Sequence, residues 1–236
     1  MLENIKKIPC STNPELSLSV IPGHFSSDRF HVNYYIDMTS LKMCQAQAQM
    51  VATEMCKKYI HRVQLSTTRA NDFFPQLSTD KFAAAEKIDT IICMDGCEVI
   101  GAYVAEELTK SGVKSNNIND TFYVISPEFD NAGQMVVRDN IKPMIKGKNV
   151  LVILASAMSG RTIYKSIKCI QAYGGTVKGI SVIFGAVDAI EGYPVHSVFT
   201  KADLPDFELA EPENCSACKK DLPLTAIVNS YGYSLL

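Results

Sequence analysis

The chain lacks an excess of positive charge. Its 23 Lys and Arg against 25 Asp and Glu leave a formal net charge of −2 over 236 residues. That excludes the broad basic face that electrostatic nucleic-acid binding needs, though not a local basic pocket for one phosphate. It also lacks a long apolar run. A membrane-spanning helix takes about 20 apolar residues, and the two most apolar stretches, 150–159 and 179–187, fall well short of that. The opening residues MLENIKKIPC carry Glu3, Lys6 and Lys7 with no apolar run behind them. They are expected not to act as a secretory leader, and neither end shows a lipidation signal. With 13 Gly and 10 Pro, fibrous and collagen-like classes fall away. What is present is ordinary for a globular protein: 47% hydrophobic and 20% charged residues. At about 150 residues per domain, the length fits one large or two small domains. The eight cysteines are expected to be reduced thiols, and the location cytoplasmic.

The pattern changes along the chain. Residues 1–35 are rich in proline and polar residues, with strand signals at Leu16, Leu18 and Val20 and again at Tyr34-Tyr35-Ile36. Residues 39–60 carry a helical period. From residue 86 strands and helices alternate. Strands are expected near 88–94, 121–125, 149–154 and 177–184, with Met135–Val137 as a hairpin return from the second. Helices are expected over 99–108, stopped at Gly112, and over 162–173. Buried strands alternating with helices mean a parallel α/β sheet with right-handed crossovers. The tail from Val198 onward reads as an edge strand plus a docked segment.

The strongest strand runs directly into Ala155-Ser-Ala-Met-Ser159-Gly160-Arg161-Thr162 and then a helix. A helix N-terminus presents free N–H groups at the positive end of its dipole and suits a phosphate. Ser159 and Thr162 add hydroxyl donors, Gly160 admits close backbone approach, and Arg161 adds charge. The same residues also fit a capped turn that binds nothing.

This constellation resembles the type I phosphoribosyltransferases. Lys146-Gly147-Lys148 is similar to the family's lead-in to this strand, and Gly174-Gly175 to the break after its helix. Asp95-Gly96-Cys97-Glu98 is similar to its pyrophosphate-binding loop. Pro22-Gly23-His24, with His31 and Val32-Asn-Tyr34-Tyr35-Ile-Asp37, resembles the base-binding hood of the orotate branch. Pro212-Glu-Asn-Cys215-Ser-Ala-Cys218-Lys-Lys-Asp-Leu-Pro223-Leu resembles a tail found in some bacterial members. The resemblance implies a type I phosphoribosyltransferase-like fold, a twisted parallel sheet flanked by helices. It would be a single domain, with a core over about 38–195 and a hood from 1–37 and about 196–236. It further implies transfer of a phosphoribosyl group from phosphoribosyl pyrophosphate (PRPP) to a nucleobase such as orotate, in pyrimidine nucleotide biosynthesis or salvage. Expected partners are PRPP or a nucleotide monophosphate, Mg2+ and a second copy in a homodimer, with no nucleic acid or membrane.

Two departures bear on that activity. The family's strand ends in two adjacent acids that hold the ribose hydroxyls, and Leu154 and Ala155 stand at those positions. The family's orotate branch brings Lys and His to the pyrophosphate on a mobile loop. The corresponding stretch here, Ser126–Asp139, carries Glu128, Asp130 and Asp139, with Arg138 its one base. The 5′-phosphate cradle is kept while ribose and pyrophosphate contacts are degraded. That points either to a weak or lost transferase or to a non-catalytic nucleotide or ribose-phosphate binder.

Other candidates are open at this level. Cys215-x-x-Cys218 has zinc-ligand spacing, but a tetrahedral site needs two more ligands. No second Cys-x-x-Cys exists, and the nearest histidine in sequence is His196. The alternative is a reduced structural or redox-labile pair. Asp95 and Glu98 could hold Mg2+ through water, or Asp95 could cap a turn. His24, His31 and His61 lack a partner at telling spacing, and Tyr34-Tyr35 reads either as a strand pair or as a stacking platform for a base.

Overall fold

The run Val150–Leu154 is apolar on both faces and is covered on both, with no side chain more than 1% exposed. It lies inside the strand that organises the molecule. The structure, a computed structural model, describes residues 4–27, 29–60, 87–111 and 121–236. His61 and Gly112 lie outside the described residues.

The chain opens with β1 (Lys6–Cys10), β2 (Asn13–Ser26) and β3 (His31–Asp37), then α1 (Thr39–Met43) and α2 (Gln45–Cys56). Next come β4 (Thr90–Cys93), α3 (Glu98–Lys110), β5 (Tyr123–Ile125), β6 (Glu128–Phe129) and β7 (Met135–Val136). The second half holds β8 (Asn149–Ala157), α4 (Arg161–Ala172), β9 (Thr176–Gly185), β10 (Ala189–Ile190) and β11 (Tyr193–Thr200). It closes with β12 (Leu209–Ala210), β13 (Ala226–Asn229) and β14 (Gly232–Leu235).

The main sheet has the order β10-β11-β9-β8-β4-β5, and every pairing but β10–β11 is parallel. One face is packed by α4 through Ile163, Ile167 and Ile170, spaced four and three residues apart. The other carries α2 and α3, whose Val51, Met55, Ile100 and Val104 join the hood side chains in a single apolar cluster. Gly101 is required in α3, because a Cβ there would meet Cys93 Sγ at 2.1 Å. The chain leaves β4 for β5 on one side and returns to β8 on the other. Such a reversal of strand order opens a crevice at the carboxyl ends of the two strands.

The hood is a second sheet, ordered β12-β3-β2-β13-β14 with β1 paired to β2. It combines the N-terminal strands with the tail, as the hood reading expects. Several boundaries differ from the sequence reading. Residues 39–60 form two helices, because Cys44 takes an extended conformation between them. Strand β8 runs on to Ala157 rather than stopping at 154, since its ladder to β9 continues through Ala157 and Gly185. Residues 196–200 belong to β11 of the main sheet, not to the hood, because they pair with β9. Met135–Val136 pairs with Glu128–Phe129 instead of returning along β5. The hairpin β13–β14 was not anticipated.

Candidate functional site

Strand β8 ends at the crevice and hands the chain to α4 through Met158-Ser159-Gly160. Gly160 is the N-cap of α4 in the left-handed region (φ 72°), and no side chain caps the helix. A Cβ at this position would meet Ile190 Cδ1 at 2.5 Å, so both conformation and packing demand glycine. The first N–H groups of α4 therefore face outward without a side-chain acceptor. Ser159, Arg161 and Thr162 are exposed, and their side chains make no hydrogen bond or ion pair among the described residues. The sequence-predicted phosphate residues thus converge as unspent donors on one edge of a polar cavity of about 220 Å³. A wider cleft of about 750 Å³ opens on their other side, and Arg29 and Lys165 add positive charge to it. Its far wall is the β6–β7 turn, where Asp130 accepts the N–H groups of Ala132 and Gln134 at 2.9 and 2.8 Å.

The second contributor is Asp95, on the loop after β4. Asp95 and Gly96 are consecutive left-handed residues, with φ of 59° and 78°. This tight turn brings Asp95 into the same polar cavity as Ser159–Thr162. Burial pushes its carboxyl above the usual range, against the opposing pull of Lys42, the Ser230 hydroxyl and the Ala155 N–H. The other three residues of that loop do not reach the cavity. Gly96 lies at the turn near Lys42 Nζ. Cys97 is wholly buried, and its thiol is pushed well above its usual range, first by burial and then by Asp95. Glu98 turns away and accepts a hydrogen bond from Ser126 Oγ.

Leu154 and Ala155 point to opposite faces of β8, as successive strand residues must. Leu154 packs beneath α4 with Ile163 and Ile167. Ala155 faces a second, largely apolar cavity of about 180 Å³ under the hood. Phe30, Tyr34, Tyr35 and Met38 line that cavity, beside Lys42 and the turn Asn229-Ser230-Tyr231. Tyr35 is 7% exposed and packs edge-on against Tyr233, with ring centroids 5.3 Å apart. Its hydroxyl is pushed up to about 12, first by burial and then by Asp37. His31 does not line this cavity. Its Nδ1 lies 3.0 Å from His24 Nε2 and 3.1 Å from Cys218 Sγ.

Two functional groups escaped the sequence reading. Lys42, only 4% exposed, donates to the carbonyls of Asp95 at 2.8 Å and Ser230 at 2.7 Å. It thereby joins the β4 loop to the C-terminal hairpin. Ser230 closes the polar cavity from that hairpin. The helical period offers no sequence signal for Lys42, which falls off the face shared by Leu41, Cys44, Ala48 and Val51 and is buried only because α1 is a separate short helix. The acid-bearing segment 126–139 does not offer its base, since Arg138 is held by Glu128 at 2.5 Å on the surface.

No family model matches the chain, and no curated protein matches it. Among solved structures it is similar to type I phosphoribosyltransferases. One is the UMP synthase of Leishmania donovani, at 19% identity and TM-score 0.47, over 74% of this chain and 32% of that one. The chain thus spans about a third of the length of that protein. Another is the orotate phosphoribosyltransferase of Mycobacterium tuberculosis in complex with PRPP, at 14% identity and TM-score 0.46, over 72% and 82% of the two chains. A third is the adenine phosphoribosyltransferase of Rhodothermus marinus, at 12% identity and TM-score 0.45, over 83% and 93%. At TM-scores below 0.5, none of these likenesses decides what the site does.

Proposed function

We propose that this chain binds the 5′-phosphate of a nucleotide or of PRPP at Ser159–Thr162, on a phosphoribosyltransferase-like scaffold whose transfer activity is very slow or lost. The observation that carries the reading is the uncapped N-terminus of α4, ringed by three side chains with unspent donors. Free N–H groups, two hydroxyls and a guanidinium at a dipole's positive end form an anion cradle. The apolar cavity under the hood, with Tyr34 on its wall, would take the base. His31 is left out of that role.

The reading of slow or absent transfer follows from what surrounds the cradle. Displacement at a ribose carbon builds positive charge in the transition state, and preorganised carboxylates stabilise it. Leu154 and Ala155 have no such group. Among the described residues Asp95 is the one acid on the polar cavity, and it already faces the Ala155 N–H, Ser230 and Lys42. That donor set does not suit a divalent cation held by protein carboxylates, because the Lys42 ammonium competes for the same charge. In this reading the described residues of the cavity therefore offer Mg2+ no side-chain ligand set.

Titration calorimetry with PRPP, orotate and orotidine monophosphate tests the proposal. Binding of the phosphorylated ligands, with none of a nucleoside lacking the phosphate, is expected. Equal binding of both would end it. A second reading, a working orotate-type transferase, is favoured by one observation. Asp95 reaches the cavity that residues 154 and 155 leave without an acid. Turnover of orotate at an ordinary rate, abolished in Asp95→Asn, would establish it. The homodimer and the cytosolic location belong to the same proposal, and light scattering and fractionation check them.

A further inference from the structure

The tail cysteines and the hood histidines meet. Strand β2 carries a bulge between Pro22 and Phe25, where its register to β3 shifts. An extra residue in one strand re-aims a side chain, and here the bulge includes His24. Its Nε2 comes within 3.0 Å of His31 Nδ1, 3.5 Å of Cys215 Sγ and 3.6 Å of Cys218 Sγ. His31 Nδ1 lies 3.1 Å from Cys218 Sγ. All four donor atoms lie within 4.8 Å of one another. With Zn–N near 2.05 Å and Zn–S near 2.3 Å, the edges of a tetrahedral Cys2His2 site are about 3.3 to 3.8 Å.

The surroundings match as well. His24 Nδ1 sits 2.9 Å from the Leu222 carbonyl. A carbonyl can only accept, so this contact places the ring proton on Nδ1 and leaves the Nε2 lone pair facing the cluster. His24, His31 and Cys215 are 6%, 9% and 5% exposed. Between the cysteines, the N–H and hydroxyl of Ser216 both donate to Glu208, which fixes the Cys215–Cys218 loop. On binding, the two thiols release their protons to solvent. Two thiolates then cancel the dication, so the enclosed site is neutral.

We propose that His24, His31, Cys215 and Cys218 form a structural zinc site that clamps the C-terminal tail to the hood. The clamp lies upstream of the hairpin that borders the phosphate cavity. Thr225 N donates to the His24 carbonyl at 2.6 Å, and β13 then pairs with β2 at Phe25 and Ser26. The hairpin turn that follows carries Ser230. Zinc bound here sets the position of that turn without touching a ligand, and the inference does not depend on the phosphate reading.

The test uses the full chain, purified and kept reduced. Elemental analysis is expected to find one zinc per chain. Reconstitution with Co2+ should give the visible bands of tetrahedral cobalt together with thiolate-to-cobalt charge transfer. His24→Asn, His31→Asn and Cys215→Ser should each lose more than the 10–100-fold in affinity that an outer partner is worth, while Cys44→Ser, exposed and not a member of the cluster, changes nothing. Chelation should raise amide exchange across β13–β14 and leave α4 protected. A reduced wild-type chain that takes up no stoichiometric metal would overturn the site, whatever the variants do. So would an octahedral cobalt spectrum, or full affinity in the His24→Asn and His31→Asn chains. Unchanged exchange in β13–β14 after chelation would overturn the clamp.

Discussion

Thr162→Val isolates the phosphate cradle from the fold. Valine keeps the β-branched shape of threonine and replaces the hydroxyl with a methyl group. In the folded chain that hydroxyl is solvent-facing and bonds to no described residue. Its loss therefore leaves nothing unsatisfied, and the unfolding free energy should stay within about 0.5 kcal/mol. In the proposed complex, the hydroxyl would donate to a phosphate oxygen. Such bonds to charged groups are worth about 1.5–3 kcal/mol when buried, and an exposed one about 1–2 kcal/mol. At 1.4 kcal/mol per tenfold, that is a loss of about 5–30-fold in affinity. Calorimetry with orotidine monophosphate reads the affinity, and urea unfolding reads the stability. Thr109→Val on α3, whose hydroxyl donates to the Ala105 carbonyl at 2.8 Å, is the control that should not alter binding. A Thr162→Val affinity within twofold of wild type would refute the cradle. A stability loss as large as the binding loss would show that the hydroxyl serves the fold instead.

Three other outcomes are expected. Leu154→Glu places a carboxylate beneath α4 with no partner and should cost about 3–5 kcal/mol, whereas Ala155→Asp faces the hood cavity and should fold. An orotate assay of Ala155→Asp that exceeds the wild-type rate would show that the missing acid limits transfer. Lys42→Met removes both donors to the Asp95 and Ser230 carbonyls and should destabilise by about 2–4 kcal/mol, with amide exchange rising first at 229–231. Asp95 is held above the ordinary carboxyl range, so the folded state keeps its proton where the unfolded chain has released it. Stability from this group is then present at low pH and lost as pH rises from about 4 upward. Asp95→Asn, which tolerates the left-handed backbone, should flatten that slope in urea titrations, and an unchanged slope would refute the assignment.

The parallel sheet was legible because its strands are buried on both faces, which leaves a continuous apolar run such as Val150–Leu154. The uncapped N-terminus of α4, where the cradle is proposed, was legible for a related reason. Small residues between such a strand and an amphipathic helix leave the helix end open. Pairing at long range was not legible. The sequence set Cys215-x-x-Cys218 against His196, its nearest histidine, yet His196 packs edge-on against Tyr59, 5.7 Å between ring centroids. The cysteines instead meet His24 and His31, separated from them by 187 to 194 positions in the closest contacts. Only a shared sheet between N-terminal strands and tail creates that meeting, and no local period encodes it. The C-terminal hairpin had a usable signal, since the β-branched pair Ile227-Val228 runs into the turn formers Asn229 and Gly232. A four-residue strand gains little by itself, and it forms here because β2 offers an edge at Phe25 and Ser26. The same hairpin then delivers Ser230 to Asp95 and Lys42. The candidate site's composition is thus set at two levels: the reversal of strand order fixes where the proposed cradle opens, and the docked tail fixes what stands opposite it.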